Sequence, residues 1–397
     1  MLGALSIDAF LPALPAIEQA FQVSASAAQQ GLTVYLIAFA VMSLFYGTLS
    51  DSFGRRPVIL ISMVFYVLSS LGAALAPSLG WLLLFRLLQG LTAGAGGVVG
   101  RAVVGDLFTG AEAQRIMAYI SVVFGLAPAI APIVGGWLLV AFGWRYIFGF
   151  IALFTFLLLL VCLKELPESL PRAKRHPFHF SIIVSNYLHV GGRVPFMLKS
   201  LSIALSFIGI MLYVGSAPAF IVGLLHLNAT EYGWLFIPII SGMSLGSWVS
   251  GRWSHRYSAA FTIRAGFFIM TGAGLANLAY AWLFAPTVPW AVVGPFFYAF
   301  GMALATPAMT VITLEVFPLH RGLASSLQGF MFMVIFAFCS GVICPLLFNS
   351  SFLLALGVSI GLVLSWVCWW LGTLPQPVPP DLPLPGDDEL VESQPPA

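Results

Sequence analysis

Along the chain, apolar runs of about 20 residues alternate with short polar breaks, and a helix of that length crosses a ~30 Å hydrocarbon core at about 1.5 Å per residue. Punctuated at those breaks, the sequence predicts twelve transmembrane helices over residues 1–18, 28–50, 57–76, 81–105, 115–140, 145–163, 199–222, 231–251, 261–284, 290–313, 323–347 and 351–372. The opening run, Leu2 to Ile17, reaches only about 24 Å as a helix. The first helix is therefore expected to be truncated. Composition agrees: of 397 residues 60% are hydrophobic and 8% charged, against roughly 25% charged in soluble domains. An all-α integral membrane protein follows, and nucleic-acid binding, a disulfide scaffold and a soluble globule are poor fits. Cys162, Cys339, Cys344 and Cys368 lack metal or redox spacing and read as small hydrophobes.

Charge gives the helices a direction. If the loop holding Arg55 and Arg56 faces the cytoplasm, fourteen of the sixteen Lys and Arg fall on that side, Arg145 falls opposite and Arg86 lies within a span. This is the positive-inside asymmetry, and it places both termini in the cytoplasm. The longest break divides the chain into a six-helix half over 1–163, a basic cytoplasmic central loop over 164–198 and a second six-helix half over 199–372. The loop serves orientation and attraction to anionic membrane lipids. The tail over 373–397, rich in Pro and acid with no base, is expected to be disordered. The halves also echo each other: Gly47, Ser50 and Phe53 recur as Gly251, Ser254 and Tyr257 in the corresponding loop, as in a parallel duplication.

Four constellations carry chemistry. The first is the loop from Gly47 to Pro57, where glycines permit a tight turn, Asp51 ends a helix, and Arg55 and Arg56 sit where they can pair with Asp106 at the end of the fourth helix. A plain positive-inside turn is the alternative. The second is Arg86, which costs at least about 2.5 kcal/mol within a span and so must face the interior with a partner. Gln89, Gly90, Ala93 and Gly97 share its helical stripe; a proton-coupling group and a hydrogen-bond hub are both open. The third is Asp8, the sole carboxylate well inside a span. Pro12 cannot donate to its carbonyl, so the helix should break at its own acid. Closed apolar walls favour the neutral carboxyl, while water and the Arg86 cation favour the charged one; a mere lock on Arg86 is the alternative. The fourth is Pro128, Pro132, Gly135 and Gly136, a bend and close-packing surface in the fifth helix.

These motifs together resemble the major facilitator superfamily. The Gly47–Arg56 loop is similar to that family's loop between helices two and three, which implies a conformational latch of Gly47, Asp51, Gly54, Arg55, Arg56 and Asp106. Arg86, Gln89 and Gly90 resemble its fourth-helix motif, which implies proton coupling with Asp8, and the Pro128–Gly136 segment resembles a variant of its antiporter helix. Ser6-Ile-Asp8, Leu11-Pro12, Ala131 to Trp137, Trp144 to Phe148 and Ala324 to Leu327 resemble the Bcr/CflA (bicyclomycin and chloramphenicol resistance) branch, whose members carry several more residues before the Ser-Ile-Asp segment. The resemblance implies two pseudo-symmetric halves and a monomeric drug:proton antiporter of the bacterial inner membrane. Its partners are protons and a small amphipathic substrate; it needs no other cofactor and no metal, and it is not an enzyme. Tyr35, Gln89, Tyr213, Ser216, Tyr298 and Gln328 are candidate cavity residues beside Asp8, with ordinary helix packing as the other role open to each. A nutrient facilitator or symporter of the same fold is the alternative function. The chain has no Gly-Lys-Ser/Thr phosphate loop, Gly-x-Ser-x-Gly or HExxH, so an ATP-driven pump and a membrane hydrolase lack their machinery.

Overall fold

The computed structural model describes residues 2–175, 178–317 and 320–374. The expected disordered tail lies outside them from residue 375 onward. Among the described residues every regular element is helical. The first half comprises α1 (Leu2–Asp8), α2 (Leu14–Phe21), α3 (Ala25–Ser43), α4 (Tyr46–Phe53), α5 (Arg55–Ala74), α6 (Leu79–Ala93), α7 (Ala95–Leu107), α8 (Gly110–Phe142) and α9 (Trp144–Glu165). A connecting helix, α10 (Phe180–Gly191), precedes α11 (Val194–Ser206), α12 (Ile208–Gly215), α13 (Gly233–Trp253), α14 (Ala259–Leu283), α15 (Trp290–Leu314), α16 (Arg321–Phe338), α17 (Cys344–Leu347) and α18 (Ser351–Thr373).

Nine helices among the described residues are long and apolar enough to cross a bilayer alone, and the pair α11–α12, bent by 44°, makes a tenth. The two expected spans outside these ten are the first, which is cut in two, and the fifth, which lies within the 33-residue α8. The cut falls where Pro12 predicts it: α1 ends at Asp8, and a 3-10 turn over Leu11–Ala13 restarts the helix. Other spans are interrupted too. Two π-helical turns, Ala219–Leu224 and Cys339–Ile343, widen the far ends of the seventh and eleventh.

The central segment is more structured than a loop. On α10, Tyr187 and Val190 dock against Phe196 on α11, Leu327 on α16 and Phe317. Tyr187 also donates to the Leu44 carbonyl at 2.9 Å, and Phe180 stacks on Phe45. The segment's positive charge hid this helix.

Between the halves, α3 packs on α16 and α8 on α13. Each contact joins the second span of one half to the fifth of the other, the relation a two-fold axis between repeats demands. A continuous core runs from Phe10, Tyr35 and Phe148 to Tyr213, Phe236 and Met302. Outside it, Leu75 and Trp282 are 79% and 76% exposed and belong to a broad apolar shell, which water would not tolerate and lipid does.

Candidate functional site

At the Arg-poor end the halves are joined closely. Gln29 on α3 donates to the Gly215 carbonyl at 2.8 Å and to Ser340 Oγ at 3.0 Å, and Gln30 donates to the Gly341 carbonyl at 3.3 Å. The backbone of Gly136 on α8 lies so near the Ala229 carbonyl that a Cβ there would collide with it. Its neighbour Gly135 makes the same close approach to Ala9, the residue after Asp8. The Gly pair is thus the packing surface expected. The helix itself runs on through Pro128 and Pro132.

Toward the Arg-rich end from this seal lies a cavity of about 650 Å³ between the halves. Its walls include Phe207, Met211, Phe236, Met243, Phe332 and Phe336, and its polar groups are Asp8, Ser244 and Ser247. Pro128 contributes to the rim of the first half. Asp8 is 6% exposed and is the only acid in the lining. It makes no ion pair among the described residues.

Arg86 is elsewhere, fully buried in the first half. The expected pairing with Asp8 is not formed. Its guanidinium lies between the rings of Phe10 and Tyr35, at 4.4 and 4.3 Å. Nε donates to the Gly31 carbonyl at 3.0 Å, while Nη1 donates to Gln89 Oε1 at 3.1 Å and to the Ser6 carbonyl at 3.4 Å; Nη2 is buried without a partner. Gln89 passes the network on to Ser70 at 2.7 Å, and Ser6 bonds Tyr66. Aromatic faces and carbonyls take the place of an anion because they reach a planar cation from above, below and the side. Arg86 therefore grips the turn that carries Asp8 and does not touch the acid.

Of the other candidate cavity residues none lines the cavity. Tyr35 and Gln89 belong to the Arg86 network, and Tyr35 also donates to the Gly3 carbonyl at 3.2 Å. Tyr213 accepts from Asn277 at 2.8 Å, and Tyr298 donates to the Ser206 carbonyl at 3.0 Å over Gly209. Ser216 is buried with its hydroxyl unpaired, and half-buried Gln328 has an unpaired Nε2. The residues that sequence reasoning missed are the apolar walls. Phe236, Ile240, Met243 and Ser247 do form an i, i+4, i+7, i+11 stripe, but on a chain this apolar such a stripe resembles a lipid-facing one.

The Arg55 loop forms the pair expected of it. Arg55 Nε meets Asp106 Oδ2 at 3.1 Å, and Nη1 meets Asp51 Oδ1 at 2.5 Å and Ser50 Oγ at 2.6 Å. Its backbone N–H donates to Glu168 Oε1 at 3.0 Å, and Arg56 donates to the Leu163 carbonyl at 2.8 Å. Every one of these partners lies before residue 176, so the network clamps the start of the central segment to the first half. A latch from these residues onto the second half is not among the described contacts. Gly54, at φ +100°, makes the turn alone; Gly47 lies inside α4 with open space where a Cβ would stand.

Over residues 1–338 the chain matches the Major Facilitator Superfamily. It is 31% identical over 335 residues to the uncharacterized MFS-type transporter YdgK of Bacillus subtilis, covering 83% of each chain. It is 29% identical over 329 residues to the bicyclomycin resistance protein homolog of Haemophilus influenzae, covering 83% of this chain and 82% of that one. The multidrug transporter MdfA of Edwardsiella ictaluri is 28% identical over 330 residues, with 83% and 80% covered. Among solved structures, a D-xylose-proton symporter superposes with a TM-score of 0.70 at 18% identity, covering 92% of this chain and 95% of that one. An inward-facing, unoccupied bacterial homolog of the human lysosomal transporter Spinster gives 0.68 at 17%, with 94% of each covered; both likenesses concern the fold. The chain belongs to the major facilitator superfamily, as an all-helical membrane transporter whose sequence relatives include proteins of the bicyclomycin and multidrug resistance kind.

Proposed function

We propose that the protein exports small amphipathic drugs or metabolites across a bacterial inner membrane in exchange for protons, by alternating access. One observation carries the reading: a single unpaired carboxylate, Asp8, in the wall of an otherwise apolar and aromatic cavity between the halves. A charge there is costly unless a proton or a cationic group neutralises it. Proton and cationic substrate then exclude each other at one site, which is the condition for exchange. With the Arg-rich end placed in the cytoplasm, the sealed end is external and the cavity lies on the inner side of the seal. Asp8 takes substrate there, the halves rock, and an external proton displaces it. The scarcity of polar groups in the walls suits a lipophilic cargo better than a sugar, and the names of the bicyclomycin and multidrug relatives point the same way. Arg86 and the Gly135–Gly136 surface position the acid, and the Arg55 clamp holds the inner loops in one state.

The test is transport in proteoliposomes with an imposed pH gradient and ethidium as the cationic probe. Wild-type protein should move ethidium against its gradient, sensitive to a protonophore, and Asp8→Asn should retain only downhill counterflow. Uphill transport by Asp8→Asn overturns Asp8 as the coupling group, and indifference of the wild type to the protonophore overturns the reading in favour of a facilitator.

A further inference from the structure

A second pocket, of about 550 Å³, lies between α14 and α15 toward the Arg-poor end, apart from the central cavity. Small residues, Ala273 and Ala276 on α14 and Gly294 on α15, line it among aromatic rings. At its mouth Phe284, Trp290 and Phe297 are 62%, 65% and 49% exposed. Phe297 on α15 faces lipid, while Phe284 in the loop after α14 and Trp290 at the start of α15 lie at the level of the membrane interface, so the pocket opens sideways into the bilayer near its surface. At its floor sits Asn277, 7% exposed. Nδ2 donates to Tyr213, while Oδ1 accepts no hydrogen bond among the described residues and lies against Gly294, where a Cβ would press on it. Behind Asn277 a narrow void bounded by Tyr213 and Tyr298 separates this pocket from the central cavity, with Ile210 and Ile239 lining both the void and the cavity.

An amide oxygen that meets no donor, at the floor of a pocket in the membrane region, is a cost that a ligand can remove. We propose that the lateral pocket binds a neutral, flat aromatic molecule bearing one hydrogen-bond donor, an amine or hydroxyl, which reaches it from the bilayer. Its volume is within the ~300–1,000 Å³ of small-molecule sites. The rim is aromatic, no charged side chain lines the pocket, and the Asn277 amide stands at the closed end. A lipid acyl chain would fill the space and leave Oδ1 unmet.

The experiment is equilibrium binding of 1-aminoanthracene and of anthracene to the full chain in lipid nanodiscs, read by fluorescence, with no gradient imposed. Wild-type protein should bind the amine saturably above protein-free nanodiscs. Ala276→Trp, at an exposed position, fills the pocket and should weaken binding at least tenfold. Asn277→Leu should weaken the amine by about 3- to 10-fold, what one neutral hydrogen bond is worth, and leave anthracene unchanged. Equal affinity of wild type and Ala276→Trp overturns the proposal, as does the absence of a saturable component, which would make the occupant lipid. Loss on Met211→Trp with none on Ala276→Trp overturns it in favour of the central cavity. Binding is read without exchange, so this result stands apart from the outcome with Asp8→Asn.

Discussion

The two halves differ in what they bury. Inside the first lie a carboxylate and a guanidinium, Asp8 and Arg86, with Gln89, Tyr35 and Tyr66 around the cation. Inside the second the polar contacts are neutral: Ser202 with Ser365, Asn277 with Tyr213, and Tyr298 with the Ser206 carbonyl. Most of the apolar wall of the central cavity also comes from the second half. A fold built from two like units has thus placed charge in one and shape in the other. Substitutions in the first should change what drives transport, and those in the second what fits.

Asp8→Asn challenges that division most severely. One proton exchanged for one ethidium cation moves no net charge, so the pH difference alone drives the exchange, with about 1.4 kcal/mol and a concentration ratio of about 10 per pH unit. Without the carboxylate the ethidium ratio in proteoliposomes should fall to unity; a ratio that survives would mean that the second half carries the coupling as well. Arg86→Lys comes next. It gives up the double ring contact and at least one buried acceptor's donor, a loss of roughly 2–4 kcal/mol, and Tm in detergent should drop; an unchanged Tm would deny Arg86 its grip on the Asp8 turn. Gly136→Ala drives a methyl into the Ala229 carbonyl, an overpacking cost of about 1–3 kcal/mol. An Ala229→Cys reporter should then react faster with a membrane-impermeant thiol reagent. Ser202→Ala in the second half should lower stability by about 1 kcal/mol and leave the ethidium ratio intact. Least is expected of Asp106→Asn, a partly exposed pair worth roughly 0.2–1 kcal/mol, seen as faster tryptic cleavage at Arg172 and Arg175.

Features set by local chemistry were legible in the sequence. Pro12 broke the first helix at Asp8, the Arg86 stripe turned inward, and Arg55 found Asp106 because both end helices on the same side. Features set by how helices face one another were not. Tyr213, Tyr298 and Ser216 differ from cavity residues only in rotation about their helices, and with 60% of positions apolar no polar contrast marks the side toward the cavity. The partner of Arg86 escaped for another reason: a search for acids overlooks rings and backbone carbonyls, which here satisfy the cation. The helix α10 was masked by the basic residues at its flanks.

The adjacency of Gly135 and Gly136 has a mechanical meaning. One touches the residue beside Asp8 and the other the residue across the seal, and consecutive positions on an α-helix point about 100° apart on a single stiff rod. A tilt that withdraws Gly136 from Ala229 slides Gly135 along Ala9 in the same stroke. Prying the far end open and jostling the acid are then a single displacement, like two teeth on one cog, and no longer chain of messengers is needed between them.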